Sequence, residues 1–292
     1  MKKAYVYAGI SILCWSTLAT VSKLLLATLN SYQVLMFGAF FAAVTLLLST
    51  VISGRIKQLK SYRVRDYLIT LLIGLPGTCL YYVFLYEGTA RMAASQAFII
   101  NYLWPIMSVV FACLLLKEKL TARKWIAFAL SFLGVLTVAG NELLAFEAET
   151  LIGVVLCVLA AVCYGAFTAL NRKWRYDDQI TVMLSFFVTF ILTAVINLCT
   201  PEAPSLGFGE WLGFAWNGVF VMAIATVTWA LALKFGSTSK ISNLAYITPF
   251  LSLVWTFLIL REPIKPLSVV GLAVIVLGIF IQMKDQGQEG TK

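Results

Sequence analysis

Asn101-Tyr102-Leu103-Trp104-Pro105 lies in an apolar run that ends at Leu116-Lys117-Glu118, and the pattern returns 144 residues later. There the chain reads Ala245-Tyr246-Ile247-Thr248-Pro249 and closes with Leu260-Arg261-Glu262. At this offset Tyr102, Pro105, Ser108, Glu118 and Gly134 fall on Tyr246, Pro249, Ser252, Glu262 and Gly278, without a gap, through two successive apolar runs. A fainter match pairs Cys14-Trp15 with Cys163-Tyr164. The chain therefore reads as two related halves, 1–140 and 150–284, each holding five apolar runs.

Composition tells what those runs are. Of 292 residues, 61% are hydrophobic and 12% charged, where a soluble domain carries about 25% charged residues. That is too little charge to cover a water-exposed surface. A bilayer accepts the apolar surface instead, at about 20 residues per spanning helix. The predicted spans are 4–27, 31–53, 66–87, 91–116, 121–140, 151–171, 179–200, 209–234, 239–260 and 266–283. Lys2 and Lys3 precede the first of these, which is longer than the apolar core of a signal peptide and reads as a helix. The tail after Met283 is polar and expected to be disordered. Because each half has an odd number of spans, the halves sit upside down relative to each other. The expected fold class is an all-α polytopic membrane protein, its ten transmembrane helices forming two inverted five-helix repeats. Such repeats mark secondary transporters, whose site lies near the midplane between the halves.

The net charge of +9 sits in short loops and not in a patch, which argues for membrane topology and against nucleic acid as a partner. Arg55, Lys57, Lys60, Arg63 and Arg65 fill the second loop; Lys117, Lys119, Arg123 and Lys124 the fourth; Arg172, Lys173 and Arg175 the sixth; Lys234 and Lys240 flank the eighth. Odd-numbered loops hold Glu142, Glu147, Glu149, Glu202 and Glu210, and Arg261 and Lys265 beside Glu262 are the one exception. The positive-inside rule places the even loops and both termini in the cytoplasm of a multi-pass protein of a bacterial inner membrane.

Candidate functional residues follow from what hydrocarbon forbids. Asn101, Trp104, Pro105 and Ser108 form one helical stripe, and Ala245, Thr248, Pro249 and Ser252 its counterpart. Pro76, Pro105 and Pro249 each deprive the carbonyl four residues back of its donor, at Leu72, Asn101 and Ala245. Such groups must be satisfied by protein or face a wet cavity. A freed carbonyl suits an ammonium and the Asn101 amide a carboxylate; a structural kink is the competing reading. Trp15, Tyr81, Tyr82, Tyr102, Trp104, Tyr164, Trp229 and Tyr246 are the aromatic candidates. Several sit near mid-helix, where an interfacial belt does not belong and an O–H or N–H needs a partner. They read either as a cavity lining or as packing between helices. Ala39, Ala43, Ala161, Gly165 and Ala169 read as sites of close helix packing. Lys23, toward the outer end of the first helix, either snorkels or guides an anionic group.

The chain has no histidine, and its acids read as lying in or near loops. That argues against a buried carboxylate relay and against intramembrane catalysis. The six cysteines fall in apolar runs without CxxC spacing, which points to buried hydrophobes, not a disulfide framework or metal site. No cofactor is expected.

With those residues in view, the chain resembles the drug/metabolite transporter superfamily in its EamA-type branch. The stretches Asn101–Glu118 and Tyr246–Glu262 carry the resemblance. In that family each half ends with a kinked helix, a Lys/Arg-Glu step and a Gly-containing helix. Asn101 to Pro105 and Cys14-Trp15-Ser16-Thr17 are further similar to bacterial aromatic amino acid exporters. The resemblance implies a central cavity lined by Tyr81, Tyr82, Tyr102, Trp104 and Tyr164, and export of amino acids or related small metabolites by alternating access. Multidrug export, and a channel or lipid scramblase, are the alternatives.

Overall fold

The computed structural model describes residues 2–119, 121–138, 140, 147–199, 206–236, 241 and 244–289. Among them ten helical rods run antiparallel in sequence: α1 (Lys2–Leu26), α2 (Ser31–Ile52), α3 (Val64–Arg91), α4 (Ala94–Leu115), α5 (Ala122–Val138), α6 (Ala148–Trp174), α7 (Asp178–Leu198), α8 (Phe208–Phe235), α9 (Ile247–Leu260) and α10 (Pro266–Glu289). Seven are long and apolar enough to cross a bilayer by themselves, α9 and Pro266–Ile281 are shorter apolar helices, and α5 has 17 residues. The predicted start of the ninth span falls partly outside the described residues. One expectation is corrected: the polar tail continues α10 to Glu289.

Four rods are broken where the backbone ladder meets a competitor. In α1 the Ser16 and Thr17 hydroxyls donate to the Leu13 and Cys14 carbonyls at 2.8 and 2.7 Å, and the helix breaks at Thr17. In α3, Pro76 opens a π-helical turn over Pro76–Leu80. In α4 the chain turns at Tyr102 and Leu103 before restarting at Trp104, with Pro105 in its first turn, where the missing N–H costs nothing. In α8 a π-helical stretch covers Trp216–Ile224 without any proline.

The packing follows a two-fold that exchanges α1 with α6, α2 with α7, and so on. The pair α3–α6 is matched by α8–α1, α4–α6 by α9–α1, and α2–α8 by α7–α3, while α2–α7 and α5–α10 pack across the axis. Small residues make these contacts close. A Cβ on Gly271 would lie 2.6 Å from the Gly134 carbonyl oxygen, and one on Gly165 2.5 Å from Met107. Ala39, Ala43, Ala161 and Ala169 are buried at such crossings. With no hydrophobic drive between helices in lipid, close van der Waals packing and interhelical hydrogen bonds carry association. In α7, Ser185, Thr189 and Thr193 return their hydroxyl protons to the carbonyl four residues back, so these three hydroxyls are buried without an unmet donor.

Polar contacts among the described residues gather loops 2, 4 and 6 at one end and loops 3, 5 and 9 at the other. Arg55 meets Asp177 at 3.2 Å, and Arg172 meets Glu118 at 2.9 Å. At the opposite end Arg91 pairs with Glu87 and, at 3.4 Å, with Glu149. There the Glu262 carboxylate accepts from the Ala94 and Ser95 N–H groups at 2.9 and 3.1 Å and from the Ser95 hydroxyl at 2.8 Å. Lys23 neither snorkels nor stands free: its ammonium donates to the Thr89 and Met92 carbonyls at 2.8 and 2.7 Å. It thereby serves the last, donorless carbonyls of α3.

Candidate functional site

The breaks in α1, α3, α4 and α8, with the residues just before α9, surround a cavity of about 660 Å³ between the halves. Proline makes the α4 break. Pro105 cannot donate to the carbonyl of Asn101, and the turn tightens: the Tyr102 N–H reaches the Phe98 and Ile99 carbonyls and the Leu103 N–H that of Ile100, each at 3.1 Å. The indole of Trp104 and the phenol of Tyr102 are thereby turned out of one continuous helical face and onto the cavity wall.

Of the residues singled out in the sequence, Trp15, Tyr81, Tyr82, Asn101, Tyr102, Trp104, Tyr164 and Trp229 all line this cavity. Tyr246 does not. Its ring sits against Phe280, 5.1 Å between centroids. Pro76, Pro105 and Pro249 are also off the wall, while their neighbours Gly77, Trp104 and Thr248 are on it. The aromatic wall is one connected set. Tyr81 stands 4.8 Å from Tyr82 and 5.0 Å from Tyr164, and Trp104 meets Tyr164 edge-on at 5.1 Å. A separate pair, Trp15 and Trp229, stands 5.3 Å apart. These edge-on and tilted geometries suit the ring quadrupoles and leave faces for a further ring.

Two polar groups are engaged differently from the sequence expectation. The Ala245 carbonyl, which Pro249 leaves without its helical donor, accepts the hydroxyl proton of Tyr102 from the other half and the Thr248 N–H at 3.0 Å. It is therefore not free for an ammonium. The Asn101 amide donates one of its two N–H bonds to the Tyr81 hydroxyl at 3.0 Å, so only the second is left for a carboxylate. What remains near the floor is acceptor capacity: Asn101 Oδ1 and Thr248 Oγ1 are buried without a partner among the described residues. Removing the cross-half bond with Tyr102→Phe is expected to lower unfolding stability by about 1 kcal/mol. Thermal unfolding in detergent measures it, and an unchanged midpoint would show that the bond contributes nothing.

The sequence reading missed the polar mouth. Asn171, Arg172, Arg175, Tyr176 and Asp178, around the turn from α6 to α7, complete the lining at the even-loop end. Asn171 donates to Asp178 at 2.9 Å and Tyr176 to Asp66 at 2.8 Å. Accepting that proton, the Asp66 carboxylate holds the Tyr176 phenol above its ordinary pKa. Arg175 ends α6 in the left-handed region at φ 54°, which turns the chain sharply into α7. In sequence Arg172 and Arg175 count as topology charges only. Only the fold shows that the acid Asp178 and the guanidiniums share a wall.

The EamA-like transporter family matches the chain over residues 2–140 and 151–283. A protein of Clostridium kluyveri, described as an uncharacterized transporter, is 25% identical and aligns over 96% of this chain and 93% of its own length. The aromatic amino acid exporter YddG of Ancylobacter novellus is 24% identical over 61% of this chain and 63% of its own. The S-adenosylmethionine uptake transporter of Rickettsia prowazekii is 25% identical over 64% and 62%. A protein of known crystal structure superposes with a TM-score of 0.68 at 20% identity, covering 95% of this chain and 97% of that one.

Proposed function

Because the chain belongs to the EamA-like transporter family, we propose that it exports amino acids, aromatic ones first, by rocking its two halves about the central cavity. The observation that carries this reading is the cavity itself: large enough for an amino acid, walled by eight aromatic residues named above with Phe98, Phe167 and Phe186 beside them. Offset or edge-on contact with such rings contributes about 0.5–1.5 kcal/mol each beyond burial, so discrimination for an aromatic side chain comes from several contacts together. The acceptors Asn101 Oδ1 and Thr248 Oγ1 suit a substrate ammonium, and the mouth carries both Asp178 and two guanidiniums for a zwitterion. The exporter YddG, similar over part of the chain, lends the substrate class support. The basic even loops support a cytoplasmic side for the open mouth and both termini, in a bacterial inner membrane.

A second reading, export of amphipathic organic cations, is favoured by one observation: Asp178 is an acid on the cavity wall, against which aromatic faces would hold a cation. A scramblase is less well supported, because Asn101, Thr248 and Ser252 of the two polar stripes are buried and do not face lipid.

Radiolabelled phenylalanine flux in proteoliposomes separates these. Saturable flux that unlabelled phenylalanine inhibits at least about tenfold better than glycine is expected for the aromatic amino acid reading. Flux of a cationic dye with no phenylalanine flux would replace it with the second.

A further inference from the structure

We propose that Glu262 is the latch that holds the odd-loop end shut, and that breaking it is the step that opens the cavity to that side. The cavity's lining runs out to the α6–α7 turn at the even-loop end. At the other end the Glu262 carboxylate joins the two halves, beside the Arg91–Glu149 ion pair. Glu262 follows α9 and belongs to the second half; α4, whose first turn it caps, belongs to the first.

The contact is built from several parts. Arg261 ends α9 in the left-handed region, φ 56°, and the Glu262 N–H bonds back to the Thr256 carbonyl at 3.3 Å. That turn carries the Glu262 side chain off its own helix and toward α4. There it takes two backbone N–H groups that have no partner within a helix, with the helix dipole favouring the negative charge, and the Ser95 hydroxyl as a third donor. The short link between α3 and α4 is fixed on its other side by Lys23, through Thr89 and Met92. Lys23 from the same half and Glu262 from the other therefore hold the α3–α4 link on two sides.

The repeat supplies the comparison. Glu118 occupies the same place in the first half, after Lys117 in the same left-handed conformation, φ 58°. It lies at the end where the cavity is open. There its carboxylate meets the side chains of Arg172 at 2.9 Å and Lys124 at 3.7 Å. Arg172 belongs to the second half, so this position reaches across the halves at both ends, as a helix cap at the odd-loop end and as an ion pair at the even-loop end; 238 and 239, the repeat counterparts of Ala94 and Ser95, lie outside the described residues.

Accessibility tests this without reference to any substrate. Thr248, buried on the cavity floor, is replaced by cysteine, and a membrane-impermeant thiol reagent is added to sealed vesicles of each orientation. The exposed native Cys199, in an odd loop, reports which face the reagent meets, and the chain without T248C supplies the background. From the odd-loop face, Glu262→Gln is expected to raise the labelling rate of T248C by about tenfold, because a neutral amide cannot reproduce charge-assisted bonds from three donors. Ser95→Ala, which removes one donor of three, is expected to raise it by a smaller factor, and Glu118→Gln to leave it unchanged. An unchanged rate in Glu262→Gln overturns the latch. So does an equal rise in Glu118→Gln, which would mean general loosening. Equal monodispersity of all variants in detergent separates opening from misfolding.

Discussion

Trp104→Ala is expected to cut kcat/KM for phenylalanine flux in proteoliposomes by about 10–100-fold, while a small aliphatic amino acid loses about threefold or less. The indole is the part of α4 that enters the cavity just after the break, and its edge contact with Tyr164 joins the wall from α3 and α4 to α6. Truncation removes a ring the substrate would lie against and also frees Tyr164 to turn. Trp104→Phe should recover most of the loss, because a ring remains in place. Flux unchanged by Trp104→Ala, in protein that transports at wild-type rates, would move the site away from α4. A loss equal for phenylalanine and the aliphatic control would make Trp104 a packing residue.

Gly271→Leu is expected to lower the unfolding midpoint in detergent by about 5 °C or more, the largest stability effect anticipated for a single substitution here. At this crossing of α5 and α10 a Cβ would stand 2.6 Å from the Gly134 carbonyl oxygen, 2.5 Å from Val138 Cγ2 and 3.0 Å from the Val138 nitrogen. Two of those three atoms are backbone, so no rotamer change makes room and the helices must separate. Gly9→Leu is the control, since a Cβ there meets nothing within 4 Å; it should leave the midpoint within about 1 °C. A Gly271→Leu protein as stable as Gly9→Leu would show that the two helices do not need their close approach.

The repeat, the ten runs and three of the four helix breaks have sequence signals, each for a separate reason. The repeat shows because Tyr, Pro, Glu and Gly recur at one offset. The breaks in α3 and α4 show because proline lacks a donor, and Ser16-Thr17 stands at the α1 break. The π-helical stretch in α8 carries no such signal: Trp216 to Ile224 includes no proline, and the extra residue per turn is set by packing. Depth is legible too: Trp15, Trp104 and Tyr164 stand near mid-helix in sequence, and all three line the cavity. Azimuth is not. Tyr246 is the repeat partner of Tyr102, yet it packs on Phe280 instead of the cavity. The same limit hid the fate of the carbonyls. Pro249 announces that Ala245 lacks a helical donor, but the phenol that supplies one stands on α4, 143 residues away in sequence. Asp178 was passed over because a residue beside a loop reads as solvent-facing until the loop is seen to fold over a cavity.

The two faces of the cavity are related by the repeat but not alike. Tyr81, Tyr82, Asn101 and Trp104 in the first half stand where Ala225, Thr226, Ala245 and Thr248 stand in the second, and of these eight all but Ala225 line the cavity. Were both halves bulky, the rings would collide on the axis and fill the space; were both small, the space would be large but featureless. The void is thus the imprint of side chains that one half carries and the other lacks. A cargo occupying it lies off the symmetry axis, displaced toward the second half. When the halves rock, that cargo does not meet mirror-image surroundings in the two end states. The bound carrier therefore has unequal energies facing the two sides, so half-saturation differs between the two faces, while in an uncoupled carrier the substrate gradient alone sets the direction of net flux.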